Sequence, residues 1–135
     1  MIHLIDTSVI YRLGEPAVSQ ALIHVGRTNL RMPDVTVLEH IATKPANAIA
    51  DAIVKLAMVA DIVSLPTQAV GNAIRLMQLL ATQRIQGGRK LGDLLIATIA
   101  LEHGWTVLHY DIDYERIAGV CDLKHQWVVP QSSIT

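Results

Sequence analysis

Four carboxylates in this chain occur beside apolar segments. Asp6 and Asp111 each end an apolar run. Asp93 precedes the apolar segment 94–101, and Glu39 falls inside an apolar stripe. Acids that meet without compensating bases repel one another, which raises their pKa values. Because Mg²⁺ and Mn²⁺ prefer carboxylate oxygens and water as ligands, the pattern predicts a site for one of these ions.

A carboxylate site of this kind is suited to the hydrolysis of phosphodiester bonds. A bound Mg²⁺ ion lowers the pKa of a water molecule, polarises the phosphoryl oxygen and neutralises the leaving oxyanion. The acids mainly position the ion, and one of them can accept the proton of the water. Zinc is not expected, because no histidines have the spacing of zinc ligands. The chain also lacks a Gly-rich phosphate loop and a nucleophile elbow.

Each acid also has an ordinary structural explanation when it is taken alone. Asp6 could end a strand by hydrogen-bonding the next turn, and Asp93 could cap a helix or offset its dipole. Glu39 could extend to solvent or pair with Arg12 or Lys44. The metal hypothesis therefore depends on whether the fold brings the four acids together.

Apolar patterns predict strands and helices that alternate along the chain. The predicted strands are 2–5, 30–32, 61–66, 106–109 and 126–129. The predicted helices are 9–13, 16–25, 34–43, a helix that starts at Pro45, 67–84, a helix between Asp93 and Gly104, and 114–120. Strands joined through helices form parallel sheets that are covered on both faces. We therefore predict an α/β fold, a three-layer α/β/α sandwich with a small, mostly parallel central sheet.

This sheet would gather the acids at one edge. The carboxyl ends of parallel strands lie together, so Asp6 and Asp111 are expected to meet there. The helix that begins near Asp93 is expected to point its N-terminus toward the same edge. Glu39 is expected to point inward because it shares a helical stripe with Leu38. Asp34, Thr67 and Asp113 are predicted to be helix N-caps, because Asp and Thr favour that position.

Charge and cysteine content restrict the partners and the compartment. The net charge of −1 gives no general attraction to nucleic acid or membranes, so a phosphate-bearing partner needs a local basic patch or a metal. Cys121 is the only cysteine, which excludes an intramolecular disulfide and fits a reducing cytoplasm. No secretory signal or membrane span is predicted. We expect one domain, residues 1–135, in the cytoplasm.

With these residues identified, the chain resembles a PIN domain, and more narrowly a VapC-type toxin ribonuclease. The resemblance covers essentially the whole chain. Any one of its segments would be weak, but four acids in this order with these flanks are fairly specific. The segments that carry the resemblance are 4–9, 37–39, 92–97, 108–114 and the tail from 115 to 130.

The resemblance implies a Mg²⁺-dependent endoribonuclease, with Mn²⁺ as a substitute, that acts as the toxin of a type II toxin–antitoxin pair. Its substrate would be RNA, which in this family is often tRNA. It further implies a homodimer, or a heteromer with a small VapB-like antitoxin encoded beside it. Asp6 and Asp93 match the principal metal ligands of the family, and Glu39 and Asp111 match the other two acids.

Four further residues complete the comparison with the family. Ser8 matches a hydroxyl that supports the first acid or the water on the metal, and Asp113 is an auxiliary acid that could instead be a helix N-cap. His109 stands where many members have Thr or Ser, and Tyr114 stands where many have Phe. Neither departure removes an acid. A structural role for His109, or a role in RNA contact or proton transfer, both stay open.

The basic residues Arg84, Arg89 and Lys90 precede Asp93, and we predict that they contact the RNA backbone. Two rival functions share some of these features. A phosphomonoesterase of the haloacid dehalogenase type needs a second Asp two residues after the first, where this chain has Ser8. A PIN-fold scaffold without nuclease activity is the other alternative, but such modules typically lose acids that this chain retains.

Overall fold

The computed structural model describes all 135 residues, and consecutive strands are connected through helices. The strands are β1 (His3–Ile5), β2 (Leu30–Pro33), β3 (Asp61–Val63), β4 (Thr106–His109) and β5 (Lys124–Trp127). The α-helices are α1 (Thr7–Ile10), α2 (Pro16–Val25), α3 (Asp34–Ile41), α4 (Ile49–Val59), α5 (Ala69–Thr82), α6 (Leu91–His103) and α7 (Asp113–Ala118). Short 3₁₀ turns cover Arg27–Asn29 and Ala46–Ala48.

The five strands form one sheet in the order β3-β2-β1-β4-β5, and every neighbouring pair is parallel. In β1, His3 pairs with Leu30 on one side and with Thr106 on the other. The strand order reverses between β1 and β4, which makes this pair the topological switch point of the sheet. Open α/β sheets bind ligands outside the carboxyl ends of the strands at such a point.

Apolar side chains cover both faces of the sheet. Leu4 packs into a core that includes residues of α5, α6 and α7, whereas Ile5 packs into a second core on the opposite face. This alternation follows from the two-residue period of a strand. The three-layer α/β/α sandwich is therefore confirmed, with a fully parallel sheet. No helix combines the length and the apolar character that crossing a membrane requires.

The predicted N-caps are wrong at three helices. The capping positions of α3, α5 and α7 hold Pro33, Gln68 and Ile112, and none of these side chains forms a capping hydrogen bond. Asp34 lies inside the first turn of α3, where its carboxylate accepts a hydrogen bond from the N–H of Leu65. A side chain committed to a neighbouring loop is not available to cap its own helix.

The inward stripe predicted for α3 is also partly wrong. Leu38 is 66% exposed, while Thr36 is completely buried. The Thr36 hydroxyl donates to the carbonyl oxygen of Ile5 at 2.9 Å, so a polar side chain attaches this helix to the central strand. Satisfying that carbonyl sets the rotation of α3 and leaves Leu38 on the outer side.

Candidate active site

The four predicted acids line one cavity of about 520 Å³ at the carboxyl end of the sheet. Asp6 follows β1 and Asp111 follows β4, so both lie at the switch point. Asp93 lies in the first turn of α6, and Glu39 reaches the cavity from α3. Four separate elements therefore contribute one carboxylate each to the same space.

Hydroxyl groups fix the orientation of the Asp6 carboxylate, which is only 2% exposed. Oδ2 accepts hydrogen bonds from the Ser8 hydroxyl at 2.6 Å and from the Ser8 N–H at 3.0 Å. Oδ1 accepts a hydrogen bond from the Tyr114 hydroxyl at 2.6 Å. Asp6 is also the N-cap of α1, so the structural explanation of this residue holds beside its place in the cavity.

Tyr114 completes this arrangement from α7. Its ring is fully buried, and burial together with the charge of Asp6 raises the pKa of its hydroxyl. The hydroxyl therefore remains a hydrogen-bond donor to Asp6. In the sequence, Tyr114 differs from the Phe that many family members have at this position. The hydroxyl oxygen that distinguishes Tyr from Phe contacts Asp6, so this difference was the one signal that could have indicated the contact.

Glu39 is held by a hydroxyl and not by a base. Its Oε1 accepts a hydrogen bond from the Thr7 hydroxyl at 2.7 Å, and it forms no ion pair with Arg12 or Lys44. Burial raises the pKa of Glu39, and the negative charge of Asp6 adds to this effect. A carboxylate with a raised pKa is a better proton acceptor near neutral pH.

Asp93 is the one of the four acids that has a buried carboxylate oxygen without a hydrogen-bond partner. It is 6% exposed, and its buried Oδ2 has no hydrogen-bond partner. Burial, together with the negative charges of Asp6 and Asp111, raises the pKa of Asp93 to about 8. A buried carboxylate oxygen without a partner is costly, and a cation that coordinates this oxygen would remove the cost.

Lys90 extends its ammonium group into the acid cluster. Its Nζ lies 2.6 Å from Asp111 Oδ2, 3.3 Å from Asp113 Oδ2 and 3.8 Å from Asp93 Oδ2. Burial acts to lower the pKa of Lys90, but the hydrogen bond to Asp111 and the nearby charges hold it above its ordinary value. Its side chain is 62% exposed and has room to leave the cluster.

The acids around Lys90 have the donor atoms and the spacing that a divalent cation requires. Asp93, Asp111 and Asp113 each offer an oxygen within 4.8 Å of the others, and an ammonium group already lies against all three. Asp6 lies close enough for its negative charge to raise the pKa of Asp93. An all-oxygen donor set with one unpartnered buried oxygen fits Mg²⁺ or Mn²⁺.

Asp113 is neutralised more completely than the other acids. It accepts hydrogen bonds from Arg116 Nη1 at 2.6 Å and from the N–H of Gly88 at 3.1 Å. Burial acts to raise the pKa of Asp113, but the Arg116 and Gly88 hydrogen bonds bring it below its ordinary value. Asp113 is not the N-cap of α7. Its own N–H donates to Asp111 Oδ1 at 2.9 Å, so Asp111 supplies the side-chain hydrogen bond at the start of α7.

His109 supports the backbone of the last acid. It is fully buried, and its Nδ1 accepts a hydrogen bond from the N–H of Asp111 at 3.1 Å. Its Nε2 is 2.9 Å from Nδ1 of His125. Burial, with the charge of His125, lowers the pKa of His109 to about 3, so the imidazole stays neutral. These contacts favour the structural interpretation of His109.

Gly92 leaves the space that the Glu39 carboxylate occupies. A Cβ at this position would lie 2.7 Å from Glu39 Cδ. No local sequence pattern singles out Gly92 for this contact, because the contact joins α3 to α6 across the cavity. Thr7 was missed for the same reason, since its partner Glu39 is 32 positions away.

Replacing Gly92 with Ala is expected to displace Glu39 without unfolding the protein. Ala favours a helix over Gly by roughly 0.5–1 kcal/mol, which offsets much of the steric cost, so stability should change by less than about 1 kcal/mol. Activity should fall roughly 10–100-fold, as for loss of a residue that orients a site. Cleavage rates and urea denaturation would measure the two effects.

Gly71→Ala is the matched control, because no atom lies within 4 Å of a Cβ built at this helical position. This variant should keep full activity. An active Gly92→Ala variant would show that the position of Glu39 is unimportant.

The predicted RNA contacts differ in their surroundings. Arg84 and Arg89 are exposed, whereas Lys90 is bonded to carboxylates as described above. Arg89 also lines an apolar groove between α5 and α6. Their contact with RNA stays a prediction.

Comparison with known proteins agrees with this fold and cavity. The family model for the PIN domain matches residues 3–120. The chain belongs to the PIN domain family. It is 37% identical to Ribonuclease VapC51 of Mycobacterium tuberculosis over 98% of this chain and 96% of that protein. A second relative, Ribonuclease VapC21 of the same species, is 35% identical over 51% of this chain and 50% of that protein.

Solved structures of similar fold include two VapBC assemblies. The first, VapBC2 from Rickettsia felis bound to a DNA fragment from their promoter, has a TM-score of 0.74 at 14% identity. That match covers 93% of this chain and 98% of the other. VapBC-1 from nontypeable Haemophilus influenzae has a TM-score of 0.74 at 21% identity and covers 95% and 98% of the two chains. At these identities the likeness shows the fold alone.

Proposed function

We propose that this protein is a metal-dependent endoribonuclease and the toxin of a VapBC-type toxin–antitoxin pair. The observation that carries the proposal is the convergence of Asp6, Glu39, Asp93 and Asp111 on one cavity at the switch point of the sheet. Near-full-length identity of 37% to a protein named a ribonuclease supports it. A scaffold role is less consistent with four retained acids, one of which has an unpartnered buried oxygen.

Asp6 and Asp93 are the proposed metal ligands, and Glu39 and Asp111 complete the catalytic set. Mg²⁺, or Mn²⁺ in its place, supplies a Lewis acid toward the phosphoryl oxygen and lowers the pKa of a bound water. Glu39 has a raised pKa and is suited to accept a proton from the attacking water. Ser8 holds the carboxylate of Asp6 in position.

Asp113 has a supporting role in this proposal. With Gly88 and Arg116 it fixes the loop that precedes α6, and this loop carries Lys90. We assign Arg89 and Lys90 to the RNA backbone. Lys90 reaches a phosphate only after it leaves the carboxylates, and its exposed side chain permits that movement.

The partner proposed for this chain is a small VapB-like antitoxin. Two solved assemblies of similar fold are named VapBC, which supports a partner of this class. We also propose a homodimer, or a heteromer with the antitoxin, located in the cytoplasm. The relatives named ribonucleases support RNA as the substrate class. We propose tRNA as the first RNA to test, as the family resemblance implies.

Replacing Asp6 with Asn tests the proposed function. The variant keeps the size of the side chain but removes a charged oxygen ligand, so RNA cleavage should fall more than about 100-fold, beyond the loss expected for an outer-layer partner. Purified protein would be incubated with total cellular RNA in Mg²⁺ and in chelator. Mn²⁺ binding would be measured by calorimetry.

Asp51→Asn is the matched control, because Asp51 is an exposed acid paired only with Lys55. This variant should cleave RNA as the wild type does. Absence of metal-dependent cleavage by the wild type, or full activity in Asp6→Asn, would contradict the proposed function.

A further inference from the structure

Arg12 lines the same cavity as the four acids, yet its guanidinium forms no ion pair with any of them. Its Nη1 donates to the carbonyl oxygen of Ser8 at 2.8 Å. Its Nε is buried and has no hydrogen-bond partner. Buried donors are rarely left in this state. The guanidinium is therefore anchored at one nitrogen, and its hydrogen-bonding capacity is incompletely used.

The guanidinium of Arg12 packs over the aromatic ring of Tyr110. The Arg12 guanidinium carbon lies 4.6 Å from the centroid of the Tyr110 ring, a distance at which the cation is attracted to the ring face. The ring is itself fixed, because the Tyr110 hydroxyl donates to the carbonyl oxygen of Ile134 at 2.8 Å. The Tyr110 N–H donates to the Ser8 hydroxyl at 2.9 Å, which joins this platform to the support of Asp6.

Tyr11 adds an exposed aromatic ring to the same cavity. Its side chain is 55% exposed, and its ring lies 5.8 Å from the ring of His40. Exposed aromatic rings beside a cationic group are the usual platforms for unpaired bases, because every base has a face that can stack. Tyr11 and Arg12 are consecutive residues, so a ring and a cation adjoin at one end of the acid cluster.

We propose that Arg12 and Tyr11 form a nucleotide subsite, in which Arg12 binds a backbone phosphate of single-stranded RNA and Tyr11 stacks on the adjoining base. This inference rests on the proposed function. Four carboxylates repel a polyanion, and the Lys90 ammonium is already engaged by Asp111 and Asp113 and lies 3.8 Å from Asp93 Oδ2. Arg12 is the cavity-lining cation that has no acid partner, and its planar fork matches phosphate oxygens.

The binding test uses mixed-sequence single-stranded RNA with a fluorescent label. Asp6→Asn serves as the background, so that cleavage does not interfere, and affinity is measured in Mg²⁺ at several salt concentrations. Adding Arg12→Gln should weaken binding about tenfold and reduce the slope of log affinity against log salt by about 0.7, the value for one lost phosphate contact. Adding Tyr11→Ala should weaken binding about tenfold with an unchanged slope.

Arg75→Gln is the charge-matched control, because Arg75 is exposed on α5 and hydrogen-bonded only to Asn72. It should leave both the affinity and the slope unchanged. Arg12→Lys should retain the slope but lose part of the affinity. Tyr110→Leu should weaken binding because the aromatic ring under Arg12 is gone.

Cleavage by the otherwise wild-type protein separates failure of the subsite from failure of the proposed function. Wild-type protein that cleaves no RNA in Mg²⁺ contradicts the function itself. If the wild type is active and Arg12→Gln and Tyr11→Ala bind and cleave RNA normally, the subsite is overturned and the function stands. Loss of antitoxin binding with normal RNA binding in Arg12→Gln would also overturn the subsite, because Arg12 would then contact a protein. Should Arg12→Gln not fold, the exposed Tyr11→Ala variant decides.

Discussion

Replacing Asp93 with Asn is expected to stabilise the metal-free protein while it abolishes activity. In the folded protein the pKa of Asp93 is raised to about 8 from an ordinary value of 3.8. The native state therefore holds a proton between these pH values that the unfolded chain releases, and stability falls as pH rises from about 4 to about 8. An Asn side chain does not ionise, so the variant should not lose stability over this pH range.

The gain in the free energy of unfolding should be on the order of 2–4 kcal/mol at pH 7, and close to zero near pH 4. Urea denaturation in chelator at pH 4 and pH 7, for wild type and variant, would measure it. Added Mg²⁺ should stabilise the wild type and leave Asp93→Asn unaffected, because only a state that binds the ligand is stabilised. Cleavage of RNA should be lost in the same variant.

Asp51→Asn provides the comparison for a solvated acid, and its free energy of unfolding should change by less than about 0.5 kcal/mol. A destabilised Asp93→Asn variant, or a gain that does not depend on pH, would show that Asp93 is an ordinary structural acid. Opposite effects on stability and activity would instead mark a residue retained for function at the expense of the fold.

Replacing Lys90 with Gln is expected to strengthen the binding of Mn²⁺ about tenfold. The Lys90 ammonium occupies the space among Asp93, Asp111 and Asp113, with Nζ 2.6 Å from Asp111 Oδ2. A divalent ion that enters this space must displace the ammonium and break charge-assisted hydrogen bonds worth about 1.5–3 kcal/mol each. Removing the competing cation removes that cost, and a tenfold change corresponds to about 1.4 kcal/mol.

Calorimetric titration with Mn²⁺ would measure this effect, and thermal denaturation in chelator would provide a second measurement. The metal-free Lys90→Gln protein should be less stable than the wild type, because the acids lose their internal cation. Arg89→Gln is the matched variant for metal binding, since it removes the same charge from an exposed neighbouring side chain that forms no ion pair. Equal or weaker Mn²⁺ binding in Lys90→Gln would contradict the role of Lys90 as a competitor.

The two variants together explain how a cluster of acids persists in a folded chain. Lys90 compensates Asp111 and Asp113 when no metal is bound, while Asp93 is left with a raised pKa and an unpartnered oxygen. Exchange of Lys90 for a divalent ion would satisfy Asp93. It would also release Lys90 toward the phosphate backbone, which links metal binding to RNA binding.

Sequence patterns predicted the elements whose signals are local. Helix α2 has the predicted bounds, Pro16–Val25, because Pro suits its first turn and apolar residues repeat on one face. Strand β4 also has the predicted bounds, Thr106–His109. Gly104 ends α6 in the left-handed conformation that a glycine allows. The parallel sheet then followed from the alternation of strands and helices.

Contacts that join distant elements were not predictable from the same patterns. Strand ends were enough to place Asp6 and Asp111 at one edge. Glu39 does reach the cavity, although the stripe used to orient it included Leu38, which is exposed. The hydroxyl of Tyr114 reaches Asp6 across 108 positions, and a one-residue change in helix rotation would remove such a contact. No periodicity in the sequence reports a contact of that kind.

Anomalous diffraction from crystals grown with Mn²⁺ would show directly whether these acids bind a divalent ion. We expect an anomalous peak bonded to the Asp93 carboxylate, with Asp6 beside it and Nζ of Lys90 moved away from Asp111. A peak at this position in the wild type and none in Asp93→Asn would agree with this expectation. A map with no peak among these acids, and with Lys90 still bonded to Asp111, would contradict the metal site and the proposed mechanism.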